Sequence, residues 1–153
     1  MLPQPAYAYR NTSEDKTVKL WEDGSGAQLQ TLEGHPDSVN AVAFSPDGKL
    51  LASVSVGSAV KIWDASSGVA LQTLEGRPGS AKAVAFSPNS KLLASGGADS
   101  IVKFRDASPG AALQTLKGHS KSIYAVTFYR LYLITTPLLQ VWGQSAEVKQ
   151  DVA

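Results

Sequence analysis

The sequence predicts an all-β protein made of repeated four-stranded antiparallel sheets, and three observations lead to that prediction. The chain repeats every 42 residues, because the block Leu29–Gly34 returns as Leu71–Gly76 and, with one substitution, as Leu113–Gly118. Residues 27–68 and 69–110 agree at 26 of 42 positions, so we expect both units to share one structure. Each unit contains four short apolar runs separated by turn residues, without helical periodicity. Such a period is typical of the blade of a β-propeller.

Residues 35–76 show how one unit divides into strands. The predicted strands are Val39–Phe44, Leu50–Ser55, Val60–Trp63 and Val69–Leu74. The first strand ends at Ser45-Pro46-Asp47-Gly48, where the proline presets φ and the glycine accepts a positive φ. This strand is apolar at nearly every position, so we expect both of its faces to be buried between neighbouring sheets.

The motifs of these units carry a family resemblance. From Gly34 to Asp64 the chain reads Gly-His, Val-x-x-Val-x-Phe-Ser-Pro-Asp-Gly, Leu-Leu-Ala-Ser and Val-Lys-Ile-Trp-Asp. In this order the motifs resemble the WD-repeat family of β-propellers, and the resemblance extends from about Asp15 to Phe128. The near-identity of successive units is similar to the WD-repeat arrays of filamentous fungi. Those arrays often follow a NACHT-type nucleotide-binding domain, and others occur in adaptors such as mitochondrial-fission scaffolds.

The resemblance implies a partial β-propeller of about two full blades plus two half-blades. The predicted organisation is an irregular segment 1–14, a partial blade 15–34, blades 35–76 and 77–118, a degenerate blade 119–143 and a disordered tail 144–153. Known propellers have about 4–8 blades, so we do not expect this chain to close an ordinary ring alone. Three alternatives stay open: a truncated fragment of a larger WD-repeat protein with no independent function, a ring completed by self-association, and an open arc with exposed apolar faces.

The composition limits the class of function. A hydrophobic content of 43% and a charged content of 18% fit a folded globular protein. The net charge of +1 provides no general attraction to nucleic acid or to an acidic membrane. The chain has no cysteine, which excludes disulfides, and its longest apolar stretch, Leu131–Trp142, is too short to span a bilayer. We therefore expect a soluble, cytoplasmic protein that neither binds nucleic acid nor inserts into a membrane.

Residues that could support catalysis or metal binding are few. His35 and His119 are the two histidines of the chain, and they occupy equivalent repeat positions, which indicates a structural role. Without cysteine, two histidines make a zinc site improbable. Gly24-Ser25-Gly26 and Gly96-Gly97 lack the lysine and the helix of a phosphate-binding loop. We expect no enzyme activity, no metal and no cofactor.

The family resemblance implies a buried polar tetrad in each blade, made of His, Ser or Thr, Asp and Trp. The matching positions are Asp15 and Trp21 in the first unit, His35, Ser53 and Trp63 in the second, Ser95 and Asp99 in the third, and His119 in the last. No set is complete, because Gly57 stands where the second unit needs Asp, and Arg77 and Arg105 replace His and Trp in the third. Since unpaired buried polar groups cost about 1–3 kcal/mol each, we expect looser blades than the family pattern would give.

The resemblance also implies a protein-binding surface on the narrow top face of the blades. The corresponding positions are Ser38, Asn40 and Val56, then Ser80, Lys82 and Ala98, then Ser122 and Tyr124, with Glu14 from the first unit. The units differ at Asn40, Lys82 and Tyr124 within a constant framework, as a recognition surface would, although neutral drift produces the same pattern. Lys82 and Tyr124 are the favoured anchors, because long cationic and aromatic side chains often carry interface energy.

The sequence therefore predicts a non-catalytic protein-binding scaffold or sensor whose partner it does not identify. A propeller-based enzyme is the weaker alternative, because no acid, base or metal ligands converge in the pattern. Binding through the outer-strand residues Gln30 and Gln72 is the alternative location for a protein-binding site.

Overall fold

The computed structural model describes residues 7–8, 13–57, 59–75, 79–129, 138–143 and 147–151. The strands in chain order are β1 (Tyr7–Ala8), β2 (Val18–Glu22), β3 (Gln28–Leu32), β4 (Val39–Phe44), β5 (Leu50–Ser55), β6 (Val60–Asp64), β7 (Ala70–Leu74), β8 (Ala81–Phe86), β9 (Leu92–Gly97), β10 (Ile101–Asp106), β11 (Ala112–Lys117), β12 (Ile123–Tyr129), β13 (Leu138–Gly143) and β14 (Glu147–Asp151). These ranges contain strands and turns but no helix, which confirms the prediction of an all-β chain.

Within the described ranges, the strands form four antiparallel sheets, each with its strands in chain order. The two middle sheets have four strands each, β4-β5-β6-β7 and β8-β9-β10-β11. The first sheet, β1-β2-β3, and the last, β12-β13-β14, have three strands each. Because sequential strands pair in every sheet, each sheet is the meander expected for a propeller blade.

Side-chain hydrogen bonds fix the turn between the first two strands of each middle sheet. Ser45 Oγ donates to Asp47 Oδ1 at 2.6 Å, and Gly48 completes the turn with a φ of 74°. The turn at 87–90 repeats the serine hydrogen bond but places Ser90, a non-glycine residue, at a φ of 63°. This backbone conformation costs a non-glycine residue about 1 kcal/mol or more, so the second turn is the less favourable of the two.

Apolar packing between sheets provides the hydrophobic core. The cluster between the first and second sheets contains Val18, Leu20, Leu32, Val39, Leu51 and Trp63. The cluster between the second and third sheets includes Val60, Ile62, Leu74, Val84 and Phe86. The cluster between the third and fourth includes Val102, Phe104, Ile123 and Val126. In each case the later strands of one sheet, its outer strands, meet the first strand of the next sheet, its inner strand, which is β4, β8 or β12. Each buried Val, Leu or Ile side chain contributes about 1.5–3 kcal/mol.

The inner strands lie side by side, with β8 in contact with both β4 and β12. The expectation that Val39–Phe44 is buried on both faces is wrong for β4, because Val39 is buried but the next five residues are only half-buried. In β8 four of the six residues are buried. The difference follows from the neighbours, since β4 has β8 on one side and, in the described part of the chain, a single bridge from Ser13 on the other.

Two expectations about the ends of the chain are corrected. The predicted irregular segment 1–14 contains β1, which pairs with β2. The predicted disordered tail 144–153 contains β14, which pairs with β13 over five residues and gives the last sheet a third strand. An edge strand needs only main-chain hydrogen bonds, which any residue except proline can donate, so a polar segment can pair without an apolar pattern. The rest of that tail, 144–146 and 152–153, lies outside the described residues.

Candidate functional site

Each inner strand carries a β-bulge at the same repeat position. In β4 the pairing with β5 shifts between Val39 and Ala41, so Asn40 is the extra residue. The equivalent shifts make Lys82 the extra residue of β8 and Tyr124 the extra residue of β12. A bulge interrupts the alternation of side chains between the two faces of a sheet and redirects the extra side chain. Asn40, Lys82 and Tyr124, which share one of the repeat positions at which the units differ, are therefore the three bulge residues.

The motif Val-x-x-Val-x-Phe contains the signal for this bulge. Val39, Val42 and Phe44 belong to the same apolar cluster, although a regular strand would place Val39 and Val42 on opposite faces. The spacing of three residues is accommodated because the bulge at Asn40 adds one residue. The strand prediction did not use this signal, which recurs as Ile123, Val126 and Phe128 in β12.

Six of the nine candidate binding residues line one open depression, which we call the bulge depression. Its volume is about 560 Å³, and its lining residues are Asn40, Val56, Ser80, Lys82, Ala98 and Tyr124. The lining does not include Glu14, Ser38 or Ser122. Two backbone hydrogen bonds of 2.9 Å hold the turns against the inner strands, from Val56 to the carbonyl of Ser38 and from Ala98 to that of Ser80.

Asn40 connects the second and third sheets at the depression. Its Nδ2 donates to Ser80 Oγ at 3.1 Å and to the carbonyl of Ala81 at 2.7 Å. Both hydrogens of the amide group are used in these two bonds. Asn40 therefore fixes the spacing of two neighbouring sheets in addition to lining the depression.

Lys82 and Tyr124 form a cation–π pair across the third and fourth sheets. The Lys82 Nζ atom lies 4.3 Å from the centroid of the Tyr124 ring, well within the distance at which such contacts are attractive. Lys82 is half-buried, whereas the Tyr124 side chain is 49% exposed. The one ion pair within 4.0 Å among the described residues joins Lys19 to Asp15, so no described carboxylate is paired with Lys82.

Three members of the predicted tetrad assemble in the second sheet. Trp63 Nε1 donates to Ser53 Oγ at 2.8 Å, and the same hydroxyl is hydrogen-bonded to Nε2 of His35 at 2.5 Å. The other ring nitrogen of His35, Nδ1, is buried without a hydrogen-bond partner. Gly57 stands where the family pattern has the carboxylate, and it supplies no side-chain acceptor. Burial lowers the pKa of His35 from 6.5 to about 4, with a smaller contribution from the charge of Lys61.

The remaining tetrad positions take other partners. Asp15 accepts hydrogen bonds within its own turn from Ser13 and Thr17, which lower its pKa to about 2. Asp99 accepts a hydrogen bond of 3.2 Å from the backbone N–H of Ile101. None of these hydrogen bonds comes from a residue at the tetrad His position, from whose ring nitrogen the tetrad Asp would accept a hydrogen bond.

In the third sheet, Ser95 is buried at the tetrad serine position, but Arg105 stands at the tryptophan position. Arg105 donates from Nη2 to the carbonyl of Glu75 at 2.9 Å, and its Nε is buried without a hydrogen-bond partner. In the last unit, Nε2 of His119 is also buried without one. Arg77 lies outside the described residues. Among the described residues, the His–Ser–Trp arrangement is therefore found in the second sheet alone.

Comparison with known proteins decides the family. The model of the family described as WD domain, G-beta repeat matches residues 26–64 and 68–106, together just over half of the chain. The chain belongs to the WD-repeat family. The first match contains the His35–Ser53–Trp63 set, and the second contains Ser95 and Asp99.

Similar WD-repeat sequences are found in much longer proteins. The chain is 52% identical over 42 residues to nuclear distribution protein PAC1 of Mycosarcoma maydis, a match that covers 28% of this chain and 9% of that protein. It is 42% identical over 52 residues to coronin-7 of Mus musculus, covering 34% of this chain and 6% of that protein. The chain thus matches less than a tenth of the length of either relative.

A solved structure supports the propeller fold. The structure of U3-55K superposes with a TM-score of 0.76 at 24% sequence identity, covering 90% of this chain and 46% of that chain. At this identity the likeness concerns the fold alone. It confirms that the four sheets are arranged as propeller blades.

The outer-strand glutamines pack against the turn of the next WD blade. Gln30 Nε2 donates to the carbonyl of Ser66 at 3.0 Å. Gln72 is packed against the equivalent turn so closely that any side chain at Gly110 would clash with Gln72 Oε1. These contacts between blades give both glutamines a structural role, which weakens the alternative of a binding site on the outer strands.

The described residues contain neither a metal-binding cluster nor a membrane-spanning helix. In these ranges, no group of three His, Cys, Asp or Glu side chains could hold a metal ion. Within the same ranges, no helix is long and apolar enough to cross a bilayer.

The stability of the protein should fall as His35 begins to be protonated in the unfolded state. The folded-state pKa of about 4 lies below the ordinary 6.5, so neutral His35 favours the folded state above pH 6.5, and this advantage is lost as the pH falls towards 4. Between pH 7 and pH 5 the loss should reach about 2 kcal/mol at most. Urea unfolding at both pH values measures it, and His35→Gln should remove most of the difference. An equal pH dependence in the variant would contradict the assignment to His35.

Gly57→Asp should complete the WD tetrad of the second blade. Gly57 does not have a positive φ, so the backbone accepts a side chain, although a Cβ would lie 3.0 Å from Pro36 Cγ and the proline must shift slightly. We expect a gain of about 1 kcal/mol in unfolding free energy and a raised pKa of His35, measured by NMR titration. Gly57→Ala is the matched control, because it adds the Cβ without the carboxylate. If Asp and Ala give the same His35 pKa, the tetrad has not been completed.

Proposed function

We propose that this chain is a non-catalytic scaffold or sensor module that binds a segment of a partner protein in the bulge depression. WD-repeat proteins generally act in protein–protein interaction, and members of the family are typically non-catalytic. The observation that carries the proposal is the meeting of the three bulge residues, Asn40, Lys82 and Tyr124, in one depression.

The composition of the depression supports binding of a protein. Tyr124 is 49% exposed and Val56 is 42% exposed, so a partner could remove apolar surface from water at both residues. Tyrosine and long cationic side chains are enriched among residues that dominate interface energies. Lys82 and Tyr124, the two lining residues that can exchange a proton, form a cation–π contact. This arrangement suits recognition of a partner better than proton transfer.

The rigidity of the frame also supports binding. The three bulge residues belong to inner strands that pack side by side, and Asn40 joins two of them through hydrogen bonds to Ser80 and Ala81. A preorganised surface loses little conformational entropy when it binds, so more of the contact energy appears as affinity. The distinction between scaffold and sensor, and the predicted cytoplasmic location, stay predictions from the sequence.

The combined variant Lys82→Ala and Tyr124→Ala should weaken partner binding and leave the fold intact. If either residue is an interface hot spot, the loss should be about 2 kcal/mol or more. Proteins captured from an extract by the wild-type chain and by the variant can be compared by quantitative mass spectrometry, and the affinity of each differential partner can then be titrated. Circular dichroism of the variant checks that the strands are retained.

Two control variants test whether the loss of binding is specific to the bulge depression. Leu113→Ala removes a side chain that is 56% exposed on the outer strand β11, and it should leave binding unchanged. His35→Ala should lower stability and affect binding only through unfolding. A partner that ignores Lys82 and Tyr124 but is lost on changing Gln30 and Gln72 would place the site on the outer strands.

A specific observation favours self-association as a second function. Trp63 is 2% exposed, because Val18, Leu20 and Leu32 of the first sheet pack in the same cluster. Trp21 occupies the equivalent position of the first sheet and is 36% exposed. An apolar sheet face covers Trp63, and a second copy of the chain carries the same apolar faces. We therefore propose that a sheet of a second copy packs on the face of the first sheet that exposes Trp21.

Sedimentation velocity tests this self-association. The wild-type chain should show a concentration-dependent increase in sedimentation coefficient, and Trp21→Gln should reduce it, because the variant removes apolar surface from the exposed face. Circular dichroism confirms that the variant remains folded. A wild-type chain that sediments as a monomer at all concentrations would rule out the second copy as the occupant.

A further inference from the structure

We propose that the bulge depression recognises an acidic side chain, so that the bound partner segment places an Asp or Glu carboxylate against Lys82 and an apolar residue beside it. The inference rests on the proposed function and specifies the chemistry of the partner.

Charge is the first argument. Lys82 is the one formally charged residue among the six that line the depression. Within the described residues, the single ion pair is that of Lys19 with Asp15, so the carboxylate that would complement Lys82 is not supplied by this part of the chain. Lys82 is half-buried, and an attraction between opposite charges is stronger in a partly desolvated site than on an open surface. A carboxylate from the partner would meet this need, and a basic side chain would be repelled.

The position of the ammonium group is the second argument. The ring of Tyr124 holds Lys82 Nζ at 4.3 Å from its centroid, so the flexible lysine is oriented before a ligand arrives. Ordering a long side chain on binding usually costs about 0.5–1.5 kcal/mol, and this contact reduces that cost. Tyr124 thus acts on the acidic group through Lys82 while offering its own exposed ring to the neighbouring residue of the ligand.

The neutral polar groups agree with an anionic ligand. Ser80 Oγ accepts a hydrogen bond from Asn40 Nδ2, so the hydroxyl retains its own hydrogen for donation. A carboxylate can accept this hydrogen in addition to one from Lys82. The depression therefore offers two hydrogen-bond donors to an acidic group. A cationic group of a ligand cannot accept a hydrogen bond from either donor.

The apolar part of the lining defines the rest of the ligand. Val56 is 42% exposed, and together with Ala98 and Tyr124 it provides carbon surface around Lys82. A volume of about 560 Å³ lies in the range of about 300–1,000 Å³ that is usual for ligand pockets and exceeds what one carboxylate would fill. The site thus suits a short peptide segment in which an acidic residue is next to an apolar one.

Selection from a random peptide library displayed on phage tests this specificity. The immobilised proteins are the full wild-type chain, Lys82→Glu, Tyr124→Ala and the matched charge control Lys91→Glu, which reverses an exposed lysine outside the depression. Peptides selected on the wild-type chain should be enriched in Asp and Glu beside apolar residues. Their affinity should fall at least about tenfold on Lys82→Glu and on Tyr124→Ala, and stay within about twofold on Lys91→Glu.

The outcomes separate this inference from the function on which it rests. Peptides that require Tyr124 but lack acidic enrichment, or that bind Lys82→Glu as well as wild type, would overturn the acidic specificity and leave binding in the depression intact. If no peptide is selected, or if none of those selected depends on Lys82 or Tyr124, both the specificity and the proposed site are wrong. Circular dichroism of each variant confirms that loss of binding does not come from unfolding.

Discussion

The burial of apolar residues between successive sheets is the interaction on which the rest of the structure depends. Each of the first three sheets offers an apolar pair from its outer half to the inner strand of the next sheet. The equivalent pairs are Val18 and Leu20, Val60 and Ile62, and Val102 and Phe104. A small sheet cannot bury its own faces, so stability comes from the interfaces between neighbours, as in other repeat proteins. The same stacking aligns the three inner strands, and the alignment brings their bulge residues to one end of the sheets. The candidate binding site is thus a consequence of the packing.

The polar tetrad is subordinate to that packing. The second sheet keeps His35, Ser53 and Trp63 in hydrogen-bond contact although the carboxylate is missing. The third sheet replaces the tryptophan with Arg105, which bonds to a backbone carbonyl instead, yet its four strands pair in the same order. Apolar clusters on both sides of the third sheet are retained, which explains why the fold tolerates the loss of the network. Hydrogen bonds of this kind contribute about 1 kcal/mol each, less than the burial of several large side chains.

The repeat made the fold predictable from the sequence, because apolar runs and turn residues recur at fixed spacing. The strands predicted at Val39–Phe44 and Leu50–Ser55 agree with β4 and β5. The burial of β4 was overestimated, because burial depends on which strands lie alongside and not on the strand's own composition. The strand β14 was missed, since main-chain pairing at an edge leaves no apolar pattern. For the site, the family pattern predicted the lining residues. The contact between Lys82 and Tyr124 could not be predicted, because it joins two inner strands that are far apart in the sequence.

The claim that the sheets stabilise one another can be tested most directly by native-state hydrogen exchange in low concentrations of denaturant. If interfaces between sheets provide the stability, the slowest amides of β5 and of β9, which are central strands of the two complete sheets, should exchange through one common opening with the same free energy and the same denaturant dependence. Two distinct opening free energies, with one complete sheet losing protection while the other keeps it, would show that each sheet is stable by itself and would contradict this account.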